Sequence, residues 1–324
     1  MSKSSVDRPQ SSTDSIRRLL TTIKPVYFAL VALVIISAIS EPSFAQLRTA
    51  RNILVSSTAL AIVTVGQTAV MLVAGIDLSV GAVMSLLTAV SALLMESHPE
   101  MVGWIVLLCV GIGVLVGLIN GILVSYLRMN PLILTLATGT ALQGVVLHIL
   151  YSPGGLVTRG FREVSRGSLG PIPYPVIILL VLYLVGSYIL KETPYGLSVY
   201  AVGGNENSAR LSGLRVNRIK LSLFVISGFL ASCGGLFLAS RIGSGDPLSG
   251  DSFTMDSIAA AVLGGTNLFG GIGDLWGGLA GVFIISILST MLNLNNVSSF
   301  YQWVIKGTIL IGALAVEFFE TRSQ

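Results

Sequence analysis

The chain has 324 residues, of which 53% are hydrophobic and only 10% charged, with a mean hydropathy of +0.85. A soluble domain carries about 25% charged residues, so the composition excludes a water-soluble globule and points to an integral membrane protein. The net charge of +4 reflects basic residues beside membrane spans and gives no sign of a nucleic-acid surface.

Residues 1–24 read as a polar N-terminal tail, Ser-rich and disordered over its first fifteen or so positions. No short apolar core with a small-residue cleavage site precedes the first span, so a signal peptide is not expected. Apolar runs near the roughly 20 residues needed to cross a bilayer place ten spans over 25–40, 53–75, 78–95, 102–127, 132–150, 172–190, 221–240, 257–272, 275–294 and 298–317. The runs are continuous rather than alternating, which argues against barrel strands. The transmembrane domain is expected over 25–318, with a short tail over 319–324. Lys and Arg set the orientation. With the N-terminus inside, Lys3, Arg8, Arg17, Arg18, Lys24, Arg128, Lys191, Arg210, Arg215, Arg218, Lys220 and Arg322 are cytoplasmic, against Arg48, Arg51, Arg159, Arg162, Arg166 and Arg241 outside. Both termini and the polar stretch 191–220 are then cytoplasmic. Cys109 and Cys233 sit in separate apolar runs and read as small buried hydrophobes.

Between the second and third spans, Gly75-Ile-Asp-Leu-Ser-Val-Gly81 leaves almost no loop. Gly75 is placed to end one helix in the left-handed conformation, and Asp77 or Ser79 to cap the next. The segment reads either as a tight buried turn or as a hinge and gate near the cytoplasmic mouth, made by Gly75, Asp77, Ser79 and Gly81. The rows Gly113/Gly117/Gly121 and Gly277/Gly281 predict close helix approach, within the chain or, as the alternative, at a dimer seam. Asn130-Pro131 opens the fifth span, whose Thr135, Thr138 and Gln143 form a polar stripe able to line a solute path. Arg159, Arg162 and Arg166 cluster outside, against the positive-inside tendency, and suit docking of an acidic partner on that side. Asp246, Asp251 and Asp256 follow the seventh span and are assigned to the outside, while Lys306 falls two turns into the last span.

The stretch 191–220 is the one large polar island between spans. Gly203-Gly204 is expected to break the chain, Asn205 to cap a helix over 206–212, and Gly213 to end it. Glu206 and Arg210 stand in the favourable i,i+4 order. So short a helix needs something docked against Ala209 and Leu211 to persist. The plain alternative is a solvated loop. No G-x-x-x-x-G-K-[ST] occurs, so ATP hydrolysis by this chain is not expected.

Four ordered segments carry a family resemblance: Gly75 to Gly81, Asn130 to Thr138, Tyr200 to Lys220, and Ala259 to Asp274. Together they resemble bacterial ABC-importer permeases of the ribose/xylose/arabinose type over nearly the whole chain. The resemblance implies an all-α membrane permease of about ten transmembrane helices with vitamin-B12-permease-like (type II importer) architecture. It implies an ATPase-coupling loop at Asn205, Glu206, Ala209, Arg210, Leu211 and Gly213. Its implied partners are a separate ABC ATPase that uses ATP and Mg, a periplasmic sugar-binding protein, and a second permease copy or paralogue in the bacterial inner membrane. No cofactor on this chain is implied. The scarcity of carboxylates inside the spans disfavours the rival reading, an ion-coupled secondary sugar transporter. A non-transport membrane scaffold is the second rival.

Overall fold

The computed structural model describes residues 25–298 and, beyond them, 300–302, 304–305, 307–308 and 311–312. The tails, Trp303 and Lys306 lie outside the described residues, and the tenth expected span falls only partly within them. The helices are α1 (Pro25–Ser40), α2 (Leu47–Met71), α3 (Val80–Ser97), α4 (Val102–Ser125), α5 (Pro131–Ile149), α6 (Arg159–Arg166), α7 (Tyr174–Glu192), α8 (Pro194–Gly204), α9 (Glu206–Leu211), α10 (Val216–Ile242), α11 (Asp251–Leu263) and α12 (Leu275–Leu294). A two-residue-per-strand hairpin follows α6, pairing Ser168 with Pro173 and Leu169 with Ile172. Seven helices among the described residues (α2 to α5, α7, α10 and α12) are long and apolar enough to span a bilayer. The chain is a multi-pass membrane protein.

The centre of the bundle is α2, α3 and α10, whose faces carry most of the buried apolar side chains. α4, α5 and α7 lie outside them and turn residues such as Leu107, Leu136 and Leu184 outward, as lipid-facing helices do. Both glycine rows act inside the chain. A Cβ at Gly113 or Gly117 would strike the α10 backbone at Gly228 or Phe224, and Gly277 and Gly281 meet Gly264 and Ala260 in the same way. Backbones approach this closely only where side chains are absent.

The eighth expected span is corrected. α11 starts six residues earlier than 257 and stops at Leu263, giving 13 residues, or about 20 Å of helix against a core of about 30 Å. Gly243 (φ 85°) ends α10, and the chain then dips down the side of α3. Gly245 pairs with Gly154, Thr88 Oγ1 donates to the Asp246 carbonyl at 3.0 Å, and Gly250 N donates to Ser85 Oγ at 2.9 Å. Gly81 N donates to Thr254 Oγ1 at 3.1 Å, closing the descent. Asp246, Asp251 and Asp256 therefore ride on a re-entrant loop and a half-helix rather than beyond the bundle. After Leu263, Gly265, Gly270 and Gly271 adopt φ of 83°, 90° and 76°, conformations that end the helix and fold 264–274 into a compact loop. Hydropathy averages over such a break, because its residues are small and apolar.

Candidate functional site: the α8–α9 elbow and the segments beneath it

Thr193 opens α8 by accepting from Gly196 N at 3.2 Å, with Pro194 at the first helical position. The helix runs through Gly203-Gly204, correcting the expected break there, and buries Val199 and Val202. Gly203 is required by proximity. A Cβ there would coincide with the Leu72 carbonyl oxygen and sit 2.5 Å from Gly271 N. Gly271 N itself donates to the Leu72 carbonyl at 2.9 Å. Three backbone segments thus meet at one point: the end of α8, the unwound stretch after α2, and the loop after α11. Tyr200 OH donates to the Gly273 carbonyl at 3.0 Å and Lys191 pairs with Asp274 at 2.9 Å, so the same loop is held from two sides.

Asn205 then caps α9, accepting from Ser208 N at 2.8 Å. Gly213 takes φ 85°, with Gly213 N donating to the Arg210 carbonyl and Leu214 N to the Ala209 carbonyl, the double bond of a glycine-terminated helix. Glu206 accepts from Arg210 Nη2 at 2.8 Å and from Lys220 Nζ on α10 at 2.5 Å. The Lys220 ammonium, with Arg210 behind it, holds the Glu206 carboxyl below the usual carboxylate range. A lowered folded-state pKa adds stability above the unfolded value, and that contribution disappears as pH falls through the folded value. The tether is therefore intact at neutral pH. Within the chain Ala209 is buried, whereas Leu211 is 90% exposed on the outer side of the elbow. Beneath α9 lies a crevice of about 680 Å³ lined by Arg128, Asn130, Glu206, Arg210 and Lys220 and reaching Ala74.

The α2–α3 break is longer than expected, spanning 72–79, and its left-handed residue is Ala74 (φ 56°) rather than Gly75. Gly75 is still needed, since a Cβ would press on Val70. Asp77 is buried at 2% exposure. Its Oδ1 accepts from Ser79 N at 3.0 Å and Ser79 Oγ at 2.6 Å, and its Oδ2 accepts from Ser227 Oγ at 2.7 Å. Ser79 heads α3 but makes no side-chain cap bond. Ser227 is close to the middle of α10, so this carboxylate lies deep in the bundle rather than at its mouth. Asn120 Nδ2 on α4 donates to Ser79 Oγ at 3.1 Å, and Thr138 Oγ1 on α5 donates to Asn120 Oδ1 at 2.8 Å. Thr135 Oγ1 receives Leu78 N at 3.0 Å and lies 3.1 Å from the Ile76 carbonyl. Gly81 backs onto Gly250 and Thr254, where a side chain would collide. The segment is one buried polar network joining α3, α4, α5 and α10.

Thr135, Thr138 and Gln143 are therefore engaged inside the chain, Gln143 Nε2 donating to the Pro247 carbonyl at 2.9 Å. Of the three arginines on α6, Arg159 and Arg166 are exposed, while Arg162 is half-buried against Gly243. Arg166 reaches the Arg241 carbonyl at the end of α10, so α6 sits at the end of the bundle opposite α9. Sequence reasoning missed α8, whose Thr193-Pro194 start is a readable signal, and missed a polar face on α12 formed by Ser286, Ser289, Thr290 and Asn293 at helical spacing.

Residues 49–314 match the family model described as branched-chain amino acid transport system / permease component. The chain belongs to this family. The permease is 40% identical to the ribose import permease protein RbsC of Haemophilus influenzae over 306 residues, covering 91% of this chain and 93% of the relative. It is 40% identical to the Bacillus subtilis protein of the same name, covering 90% and 91%. It is 34% identical to the D-allose transport system permease protein AlsC of Escherichia coli, covering 90% of each. No solved structure matches the permease.

Proposed function

We propose that this permease is one half of a dimeric pore in a binding-protein-dependent ABC importer, carrying a neutral monosaccharide across the bacterial inner membrane. The observation that carries the proposal is the elbow: a capped, tethered six-residue helix with Leu211 exposed, following directly on Gly203, whose backbone meets both breaks in the bundle at Leu72 and Gly271. A separate cytoplasmic ATPase docks there, using ATP and Mg, and its motion reaches Leu72 and Gly271 directly. The permease completes ten spans in a vitamin-B12-permease-like arrangement, with both termini cytoplasmic. A second copy or a paralogue supplies the other half. The exposed Arg159 and Arg166 on α6 receive the periplasmic binding protein. Gly75, Asp77, Ser79 and Gly81 form the hinge that moves with α9.

The family description names branched-chain amino acids, whereas the similar relatives are named for ribose and allose. Identity near 40% across nine-tenths of both chains favours the sugar. Reconstitution in liposomes with the ATPase and binding protein, using labelled pentoses, hexoses and branched-chain amino acids, is expected to show uptake of a sugar alone, dependent on the binding protein. Uptake confined to leucine, isoleucine or valine overturns the substrate class, and full uptake without a binding protein overturns the delivery route.

A further inference from the structure

At the α6 end of the bundle, a cleft of about 620 Å³ opens between α2, α10, α11 and α12. Its volume is that of a small-molecule site, where about 300–1,000 Å³ is usual. One wall is the polar face of α12, with Ser286, Ser289, Thr290 and Asn293 at i, i+3, i+4 and i+7; facing it on α2 are Asn52 and Ser56 at i,i+4. Apart from Asn293, these side chains do not tie one helix to another. Thr290 and Ser56 bond only their own preceding turns, to the Ser286 and Ile53 carbonyls at 2.8 and 3.0 Å. Asn293 Oδ1 accepts from Gln302, leaving its amide nitrogen uncommitted, and the side chains of Asn52, Ser286 and Ser289 make no hydrogen bond among the described residues. Polar groups unpaired at membrane depth are costly against lipid, so a stripe of them in two otherwise apolar helices marks a wet surface.

We infer that this cleft is the solute-receiving end of the path, and that its amides and hydroxyls hold a polyol delivered from outside. The inference rests on the reading of the permease as a monosaccharide carrier and names the residues that touch the sugar. The chemistry fits. Each sugar hydroxyl both donates and accepts, as do Asn52, Asn293, Ser286 and Ser289. Phe253 and Leu60 supply the apolar wall against which ring C–H groups pack. Among the described residues that line the cleft, the charged ones are Arg241 and Asp256, of opposite sign. The location fits as well, because Arg241, which lines the cleft, accepts through its carbonyl from Arg166 of the docking helix.

The test uses the reconstituted complex with its binding protein. Asn52→Leu and Ser289→Leu each remove a solute contact while remaining compatible with a membrane helix. Each is expected to lower sugar uptake about tenfold, the effect of one lost hydrogen bond, with co-purification of the ATPase retained. Thr140→Val, on the outward side of α5 where the hydroxyl bonds only the Leu136 carbonyl, is expected to leave uptake unchanged. In a Cys109→Ala, Cys233→Ala background, Ser289→Cys is expected to react with a water-soluble maleimide and to be protected when sugar-loaded binding protein is added. Normal sugar uptake by both leucine variants, or a Ser289→Cys thiol shielded by lipid or by a second copy, overturns the cleft while leaving the carrier reading standing. No sugar uptake by the unmodified complex overturns the carrier reading itself, and this inference with it.

Discussion

Gly203→Val is expected to reduce uptake by about tenfold to hundredfold while the chain still inserts and binds its ATPase. The new Cβ would fall on the Leu72 carbonyl oxygen, and Gly271 N stands 2.5 Å away, so no rotamer relieves the clash. Overpacking of this kind costs about 1–3 kcal/mol, and here it acts on the one point where α8, the α2–α3 break and the loop after α11 share backbone contacts. Gly204→Ala is the matched control, since a Cβ there meets open space. Initial uptake rates beside a co-purification assay check the prediction. A Gly203→Val transporter with normal rates would remove the elbow from the coupling path.

Asp77→Ala is expected to destabilise the permease by about 3 kcal/mol or more. Three buried donors, Ser79 N, Ser79 Oγ and Ser227 Oγ, would lose their acceptor together, and each orphaned group costs about 1–3 kcal/mol. Ser227→Ala removes one donor and leaves the others paired, so a smaller loss of about 1 kcal/mol is expected. Thermal unfolding of the solubilised protein, followed by monodispersity after heating, compares the two. Equal stability of Asp77→Ala and the unmodified chain would mean that the network does not hold the break in place.

Local chemistry makes the elbow legible in the sequence. Asn205 as a cap, Gly213 with positive φ and the Glu206–Arg210 pair each depend on neighbours within a few residues, and all three occur. Lys220 as the second partner of Glu206 was not legible, being fourteen positions away. Hydropathy found the long helices and failed at α11, where a half-helix followed by glycine turns is as apolar as a full span. The polar stripe on α5 looked available because its partners, Asn120 and the Pro247 carbonyl, belong to other segments. The stripe on α12 is visible in its spacing, in a run whose length and Gly277/Gly281 row were the features first apparent.

Asp77 is buried deep in the bundle, and Asp251 opens the half-helix α11 at the foot of the re-entrant loop. Scarcity of intramembrane carboxylates no longer counts against an ion-coupled carrier, because the fold draws these residues inward. Family membership and the sugar-import permeases it resembles now bear that weight.

The most direct measurement places the permease in liposomes with and without the ATPase, binding protein outside and ATP inside, and follows labelled sugar while proton and sodium gradients are collapsed. Uptake that requires the ATPase and ATP and survives loss of both gradients is the predicted result. Gradient-driven uptake by the permease alone, or ATP hydrolysis by the permease alone, would contradict it.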